Sequence, residues 1–144
     1  MNVTNEVMPT EPERIAAMQE AGPEGPIIMV NLLKFKEHAE YADGRESDLT
    51  GYEAYAIYGR AVTDLLPQFG GEAMLAGDVT FLALGQVEEL WDEVALAKYP
   101  NRAALWAMST SAAWQEIAVH RSAGLAGQLN IEIVQQEGFG KASV

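Results

Sequence analysis

Cysteine is absent from this chain, which excludes disulfides, thiolate metal sites and cysteine nucleophiles. Histidine is nearly absent: His38 and His120 lie in different predicted elements, and no His-x-His or Glu-x-x-His spacing offers metal ligands. Basic residues are scarce too, nine Lys and Arg against 21 Asp and Glu, for a net charge of −12. That charge repels a phosphate backbone, and the few cations are scattered, so nucleic-acid and anionic-membrane partners are rejected. The acidity reads as solubility. No apolar run approaches the ~18 residues of a membrane span. The stretch Met1-Asn-Val-Thr-Asn-Glu-Val has neither a basic nor an apolar leader region, so no secretory signal is read and a cytoplasmic location is expected. The Asn2-Val-Thr4 glycosylation triplet then carries little weight. Ser109-Thr110-Ser111 lacks the strand-to-helix setting of a nucleophile elbow, and Gly70-Gly71 follows a predicted helix rather than a strand, so it is no phosphate loop.

What is present is apolar. Of 144 residues 49% are hydrophobic, enough for one domain that folds without covalent staples. Residues 1–144 read as a single unit with its core in 25–135, a leading helix within 1–20 and a fraying tail over 136–144. The most informative stretch is Gly25-Pro-Ile-Ile-Met-Val-Asn-Leu-Leu-Lys-Phe35, a buried strand launched by a Gly-Pro turn with one amide, Asn31, in its middle. An unpaired amide there would cost roughly 1–3 kcal/mol, so Asn31 needs a partner.

Thr10-Glu-Pro-Glu13 has the form of a capping box, with Thr10 as cap and a short helix to Glu20. Residues 36–50 are polar with an Asp43-Gly44 turn and read as an exposed insertion. Tyr52, Tyr55, Gly59, Val62, Leu66 and Phe69 recur every three or four residues, predicting a helix over 51–69 with Tyr58 at the edge of its stripe. Strand two is expected over 72–84 with a bulge at Gly77-Asp78, and strand three over 91–99. Asn101 and Ser111 should cap a broken helix reaching Gly124, with Leu105, Met108, Trp114, Ile117 and Arg121 inward, and strand four follows over 129–134.

This order is the ferredoxin-like split βαβ arrangement, an α+β fold with a four-stranded antiparallel sheet and two helices on one face. Its second face would carry Ile28, Val30, Leu32, Val94 and Leu96, too apolar to meet water. A homodimer is expected, formed by packing two sheets into a dimeric α/β barrel.

Several segments together resemble the domain of unknown function 1330 family, within the dimeric α/β-barrel superfamily. They are Val30-Asn-Leu-Leu-Lys-Phe35, Tyr41-Ala-Asp-Gly-Arg45, Tyr52-Glu-Ala-Tyr55, Trp91-Asp-Glu-Val-Ala-Leu96, Lys98-Tyr-Pro100 and Ile117-Ala-Val-His-Arg121. The resemblance covers most of residues 25–125 and implies the barrel fold and the dimer, but no settled activity. In relatives of that superfamily ligands often occupy a cleft between sheet and helices, and many of those enzymes use no cofactor; none is expected here. Trp114 stands where such sequences more often have Tyr.

Strand alternation puts Ile27, Met29, Asn31, Leu33 and Phe35, and Glu93, Ala95, Ala97 and Tyr99, on the side facing the helices. Glu93 is there a candidate general base or ligand anchor, against the alternative of a solvated carboxylate paired with Lys or Arg. Asn31 is a candidate ligand contact, or else holds neighbouring backbone. His120 is a candidate acid or base and Arg121 a candidate clamp for a carboxylate, against the alternative that the pair caps a helix C-terminus. The expected pocket is lined by Met29, Asn31, Tyr55, Glu93, Tyr99 and His120, with Arg121 at its mouth. Two functions fit. One is a cofactor-independent enzyme using acid–base chemistry on an apolar carbonyl or phenolic compound. The other is a non-catalytic metabolite-binding or stress-related dimer.

Overall fold

The run after Gly25-Pro26 becomes the strand around which the molecule is built. In the computed structural model, which describes residues 3–140, it forms β1 (Ile27–Phe35). The other strands are β2 (Glu72–Asp78), β3 (Glu93–Tyr99) and β4 (Leu125–Ile133), in the sheet order β2-β3-β1-β4. Every neighbouring pair is antiparallel, with β1 and β3 in the interior. The helices are α1 (Pro12–Met18), α2 (Gly51–Leu65), α3 (Arg102–Ser109) and α4 (Ala112–Gly124). Strand–helix–strand–strand–helix–strand connectivity with this order is the ferredoxin-like split βαβ, and the fold is α+β.

The local chemistry explains most boundaries. Asn101 accepts from the Ala104 amide and Ser111 from the Trp114 amide, so the second helical segment breaks and restarts where those side chains offer caps. Gly70, at φ +75°, closes a 3-10 turn over Leu66–Phe69 that ends the α2 segment. The capping box is not at Thr10. Helix α1 starts one residue later with Glu11 as N-cap and Pro12 at the first helical position, where a missing N–H costs nothing. A second threonine–glutamate pair three residues apart, Thr50 and Glu53, makes the reciprocal bonds instead and starts α2.

Other expectations shift. Strand β2 ends at Asp78 rather than residue 84, because its ladder runs out where Asp78 meets Glu93, the first residue of β3. Its bulge falls between Ala73 and Leu75, not at Gly77-Asp78, which pair regularly with β3. Strand β4 starts at Leu125 rather than 129: Gly124 ends α4 and the chain enters the sheet at once. The insertion 36–50 has no regular structure, but it is pinned by Lys36 N–H to Gly124 O and Glu40 N–H to Ala123 O. Expectations for Asn2 and for the tail end, residues 141–144, fall outside the described residues.

The facing of β1 follows the expected alternation, but Ile28, expected on the uncovered face, is already buried within the chain at 4% exposure. Ile27 and Met29 join Tyr99, Tyr58, Leu65, Leu66, Leu105, Met108, Trp114 and Ala118 in the core between sheet and helices. On α2 the buried positions are Gly51, Ala54, Tyr58 and Leu65, a stripe displaced by about one residue from the expected one. Tyr58 is therefore central, not marginal, while Tyr52 is half exposed, packing edge-on against Phe35. The displacement follows from α2 meeting α4, where Gly51 and Gly124 let the two backbones touch.

Candidate functional site

Strand register assembles the floor of the site. On the helix-facing side, cross-strand rows run Ala73–Ala97–Met29–Glu132, Ala76–Ala95–Asn31–Asn130 and Asp78–Glu93–Leu33–Gln128. The β2–β3 half of this floor is mostly alanine, and all of β2 is exposed. Small side chains on this half of the floor leave a gap beneath the helices. A cavity of about 990 Å³ opens there, lined among others by Met29, Asn31, Tyr55, Tyr58, Trp114 and Arg121. Its remaining wall is the N-terminal segment. Asn5 Nδ2 donates to Leu125 O and Gln128 Nε2 to Glu6 O, tying this segment to β4.

Of the seven expected site residues, Met29, Asn31, Tyr55, Glu93, Tyr99 and Arg121 line this cavity; His120 does not. The expected positions of His120 and Arg121 are exchanged. Successive helical residues point about 100° apart, and the burial of Trp114, Ala118 and Arg121 fixes which side of α4 faces in. His120 turns to the pinned loop, where its Nδ1 lies 2.7 Å from Tyr41 Oη. The Tyr41 ring is also covered by the Arg45 guanidinium, which Asp43 holds in turn. Partial burial, then the charge of Arg45, lowers the His120 pKa. The Tyr41-to-Arg45 motif thus docks the loop on α4.

Asn31 divides its amide between two tasks. Its Nδ2 donates to Met29 O and Ala95 O, which is backbone holding, and its Oδ1 has no partner among the described residues. Tyr58 Oη accepts from Trp114 Nε1 at 3.1 Å. Tyr55 and Tyr99 hydroxyls have no hydrogen-bond partner among the described residues. Burial pushes the Tyr55, Tyr58 and Tyr99 hydroxyls above the ordinary tyrosine range, so all three stay protonated.

Arg121 is the unusual group. It is 7% exposed, yet no carboxylate among the described residues pairs with it. It has one long hydrogen bond, from Nη1 to Val7 O at 3.4 Å, and lies 5.7 Å from the centre of the Trp114 ring. Burial lowers its pKa, and the neighbouring Tyr58, Tyr55 and Tyr99 oppose that shift. Arg102, also on the cavity wall, is by contrast paired bidentately with Glu132 at 2.6 and 2.9 Å.

The model of the family described as domain of unknown function (DUF1330) matches residues 33–136. The chain belongs to this family. Among solved structures, the RPA0582 protein of unknown function from Rhodopseudomonas palustris is 32% identical, with a TM-score of 0.79 over 93% of this chain and 99% of that one. A methylated form of RPA0582 is 34% identical, with a TM-score of 0.81 over 95% and 99%. A dimeric protein of unknown function and ferredoxin-like fold from Bacteroides fragilis is 8% identical, with a TM-score of 0.44. No curated protein matches the chain. The family match begins inside β1, so the N-terminal segment that walls the cavity lies outside it.

Several family-like motifs have structural work here. Lys34 Nζ donates to Leu90 O and Asp92, and Asp92 accepts from the Phe35 amide, so these residues fix the end of β1. Sequence reasoning missed Tyr58 and the N-terminal wall. The spacing of Ala54, Tyr58 and Leu65 carried a signal for the first; nothing in residues 3–9 marked them as part of a site.

Glu93 has a raised pKa, first from burial and then from the charge of Asp78 opposite it on β2. A carboxyl with a raised folded-state pKa contributes most below its unfolded value and loses that contribution as pH rises through the folded value. Wild type is therefore penalised at neutral pH. Glu93→Gln is expected to raise the thermal midpoint at pH 7.5, and the gain should vanish below about pH 4, where the carboxyl is protonated in both states. Melting curves of both proteins across that range check this.

Proposed function

We propose that the cavity between sheet and helices binds a small, largely apolar compound bearing a carbonyl or phenolic oxygen, without a bound cofactor. The observation that carries this reading is the set of polar groups without partners among the described residues, the Tyr55 and Tyr99 hydroxyls and Asn31 Oδ1, beside the apolar walls of Met29, Leu105, Met108 and Trp114 in a cavity of about 990 Å³. A few placed polar groups on apolar walls are the usual make-up of a ligand pocket. A thermal-shift screen of ketones, phenols and aromatic acids should yield hits that raise the midpoint. Tyr99→Phe should weaken the best hit by about 1 kcal/mol, the usual worth of one neutral hydrogen bond. Hits unaffected by Tyr99→Phe and by Tyr55→Phe would place binding elsewhere.

Acid–base catalysis is favoured by one further feature. Glu93 is a carboxyl of raised pKa within the same cavity, and so a stronger base than an ordinary carboxylate. His120, bonded to Tyr41 outside the cavity, has no part in that step. Turnover of a hit that Glu93→Gln abolishes while binding persists supports the enzyme; binding without turnover leaves the protein a metabolite binder.

The same reading takes the working form as a homodimer. The sheet face away from the helices joins Leu75, Leu96, Val94, Val30, Leu32, Leu129 and Ile131 in adjoining cross-strand pairs. Leu75 is 63% and Ile131 44% exposed. A patch of this kind on a monomer would promote aggregation, whereas a second sheet would bury on the order of 1,200 Å² or more. Light scattering at low micromolar concentration is expected to give twice the chain mass, and Val30→Glu to give the monomer. A wild-type monomer would refute the dimer.

A further inference from the structure

We infer that the ligand of this cavity is an anion, an apolar monocarboxylate whose head group pairs with Arg121 and whose body lies along the methionine-rich wall. The inference rests on the small-molecule reading above and adds the charge and class of the ligand. Arg121 is nearly fully buried and lacks a carboxylate partner among the described residues. An unpaired buried cation is costly, and proteins retain one where a bound anion completes it. Glu93 lines the same cavity but forms no ion pair with Arg121. Glu132 is committed to Arg102.

The surroundings favour a carboxylate over a larger anion. The guanidinium has one long bond to Val7 O, which leaves most of its donors free for a bidentate pair. Tyr55 and Tyr99 line the same cavity as Arg121, and their protonated hydroxyls are donors without acceptors among the described residues. Arg14 and Arg102, the other cations of the wall, face Glu11 and Glu132, so one uncommitted cation with two neutral donors balances one negative charge; a dianionic phosphate would need more. Past the head group, Met8, Met18, Met29 and Met108 line the cavity. Methionine adapts to irregular apolar shapes, so this wall accepts an alkyl or aryl body.

The test uses decanoate and 4-phenylbutanoate beside their primary amides, titrated calorimetrically into the full chain. At neutral pH at least one acid should bind ten or more times tighter than its amide. Its affinity should fall as pH drops through the carboxyl's own pKa. Arg121→Met should weaken the acid at least tenfold and the amide by clearly less, since the amide loses a neutral hydrogen bond and not an ion pair. Arg121→Lys keeps the charge but loses the fork and should fall between. If Arg121→Met does not fold, the acid–amide ratio and its pH dependence decide alone. Acid and amide binding equally at all pH values would overturn the anion inference while the small-molecule reading stands. No binding of any of the four compounds would overturn the anion inference; the small-molecule reading would fall with it only if the ketone and phenol screen were blank as well.

Discussion

Alanine at Gly51 is expected to cost about 3 kcal/mol of stability, the upper end of what overpacking a closed contact costs. A Cβ there would overlap the carbonyl oxygen of Lys36 and come within 2.6 Å of Gly124 O and 2.7 Å of the Lys36 amide. All of these neighbours are backbone, so none can swing aside. They also serve as partners: Lys36 O accepts from Gly51 N–H, and Gly124 O accepts from Lys36 N–H. Relieving the clash would separate α2 from α4 and unfasten both ends of the loop over 36–50. Gly59 is the internal control. It lies on the same helix, but a Cβ there meets nothing within 4 Å. Gly59→Ala should stabilise by about 0.5–1 kcal/mol through helix propensity alone. Urea unfolding of the three proteins checks the contrast; equal effects at both glycines would show that the α2–α4 backbone contact is not as close as described.

Trp114→Ala should be the more damaging change, about 3–5 kcal/mol, as for large aromatics removed from a core. The indole is 4% exposed and stands edge-to-face with Tyr58 at 6.3 Å. Its Nε1 is the hydrogen-bond partner of the buried Tyr58 hydroxyl, and its ring lies near the Arg121 guanidinium. Losing it opens a hole, strands a hydroxyl and removes support from the cavity's cation together. Trp114→Phe separates these effects by keeping part of the volume while leaving Tyr58 without its donor. A double-mutant cycle with Tyr58→Phe should return a coupling of about 1 kcal/mol in denaturant unfolding. A coupling near zero would mean the hydroxyl finds another partner.

Some of this architecture was legible because it rests on short-range rules. The Gly-Pro launch and the mostly apolar run after it read as a buried strand, and Asn101 and Ser111 announced their helix starts through side chains that bond three residues on. Alternation correctly placed Met29, Asn31, Glu93 and Tyr99 toward the helices, because side chains on a strand have a period of two. Thr50–Glu53 has the same residue pattern as Thr10–Glu13, and which pair makes the reciprocal bonds depends on the helix that follows. By contrast, whether β2 ends at residue 78 or 84 depends on where its partner strand begins, which no local pattern states.

Helix faces were legible only in part, for a related reason. An apolar stripe wide enough to include Tyr52, Tyr55 and Tyr58 does not say which edge turns inward; the approach of Gly51 to Gly124 decides it. The same rotation on α4 buries Arg121 and sends His120 to Tyr41, a difference of one position that reverses their settings. Nor could the sequence show that residues near the N-terminus would wall the cavity, since Asn5 and Gln128 reach backbone more than a hundred positions away. The sequence by itself determined the strand and helix order, the sheet topology and the kinds of side chain available to a site. Only the tertiary structure decided which met in one cavity and that Arg121 has no carboxylate partner among the described residues, because charge pairing and burial depend on contacts between distant elements.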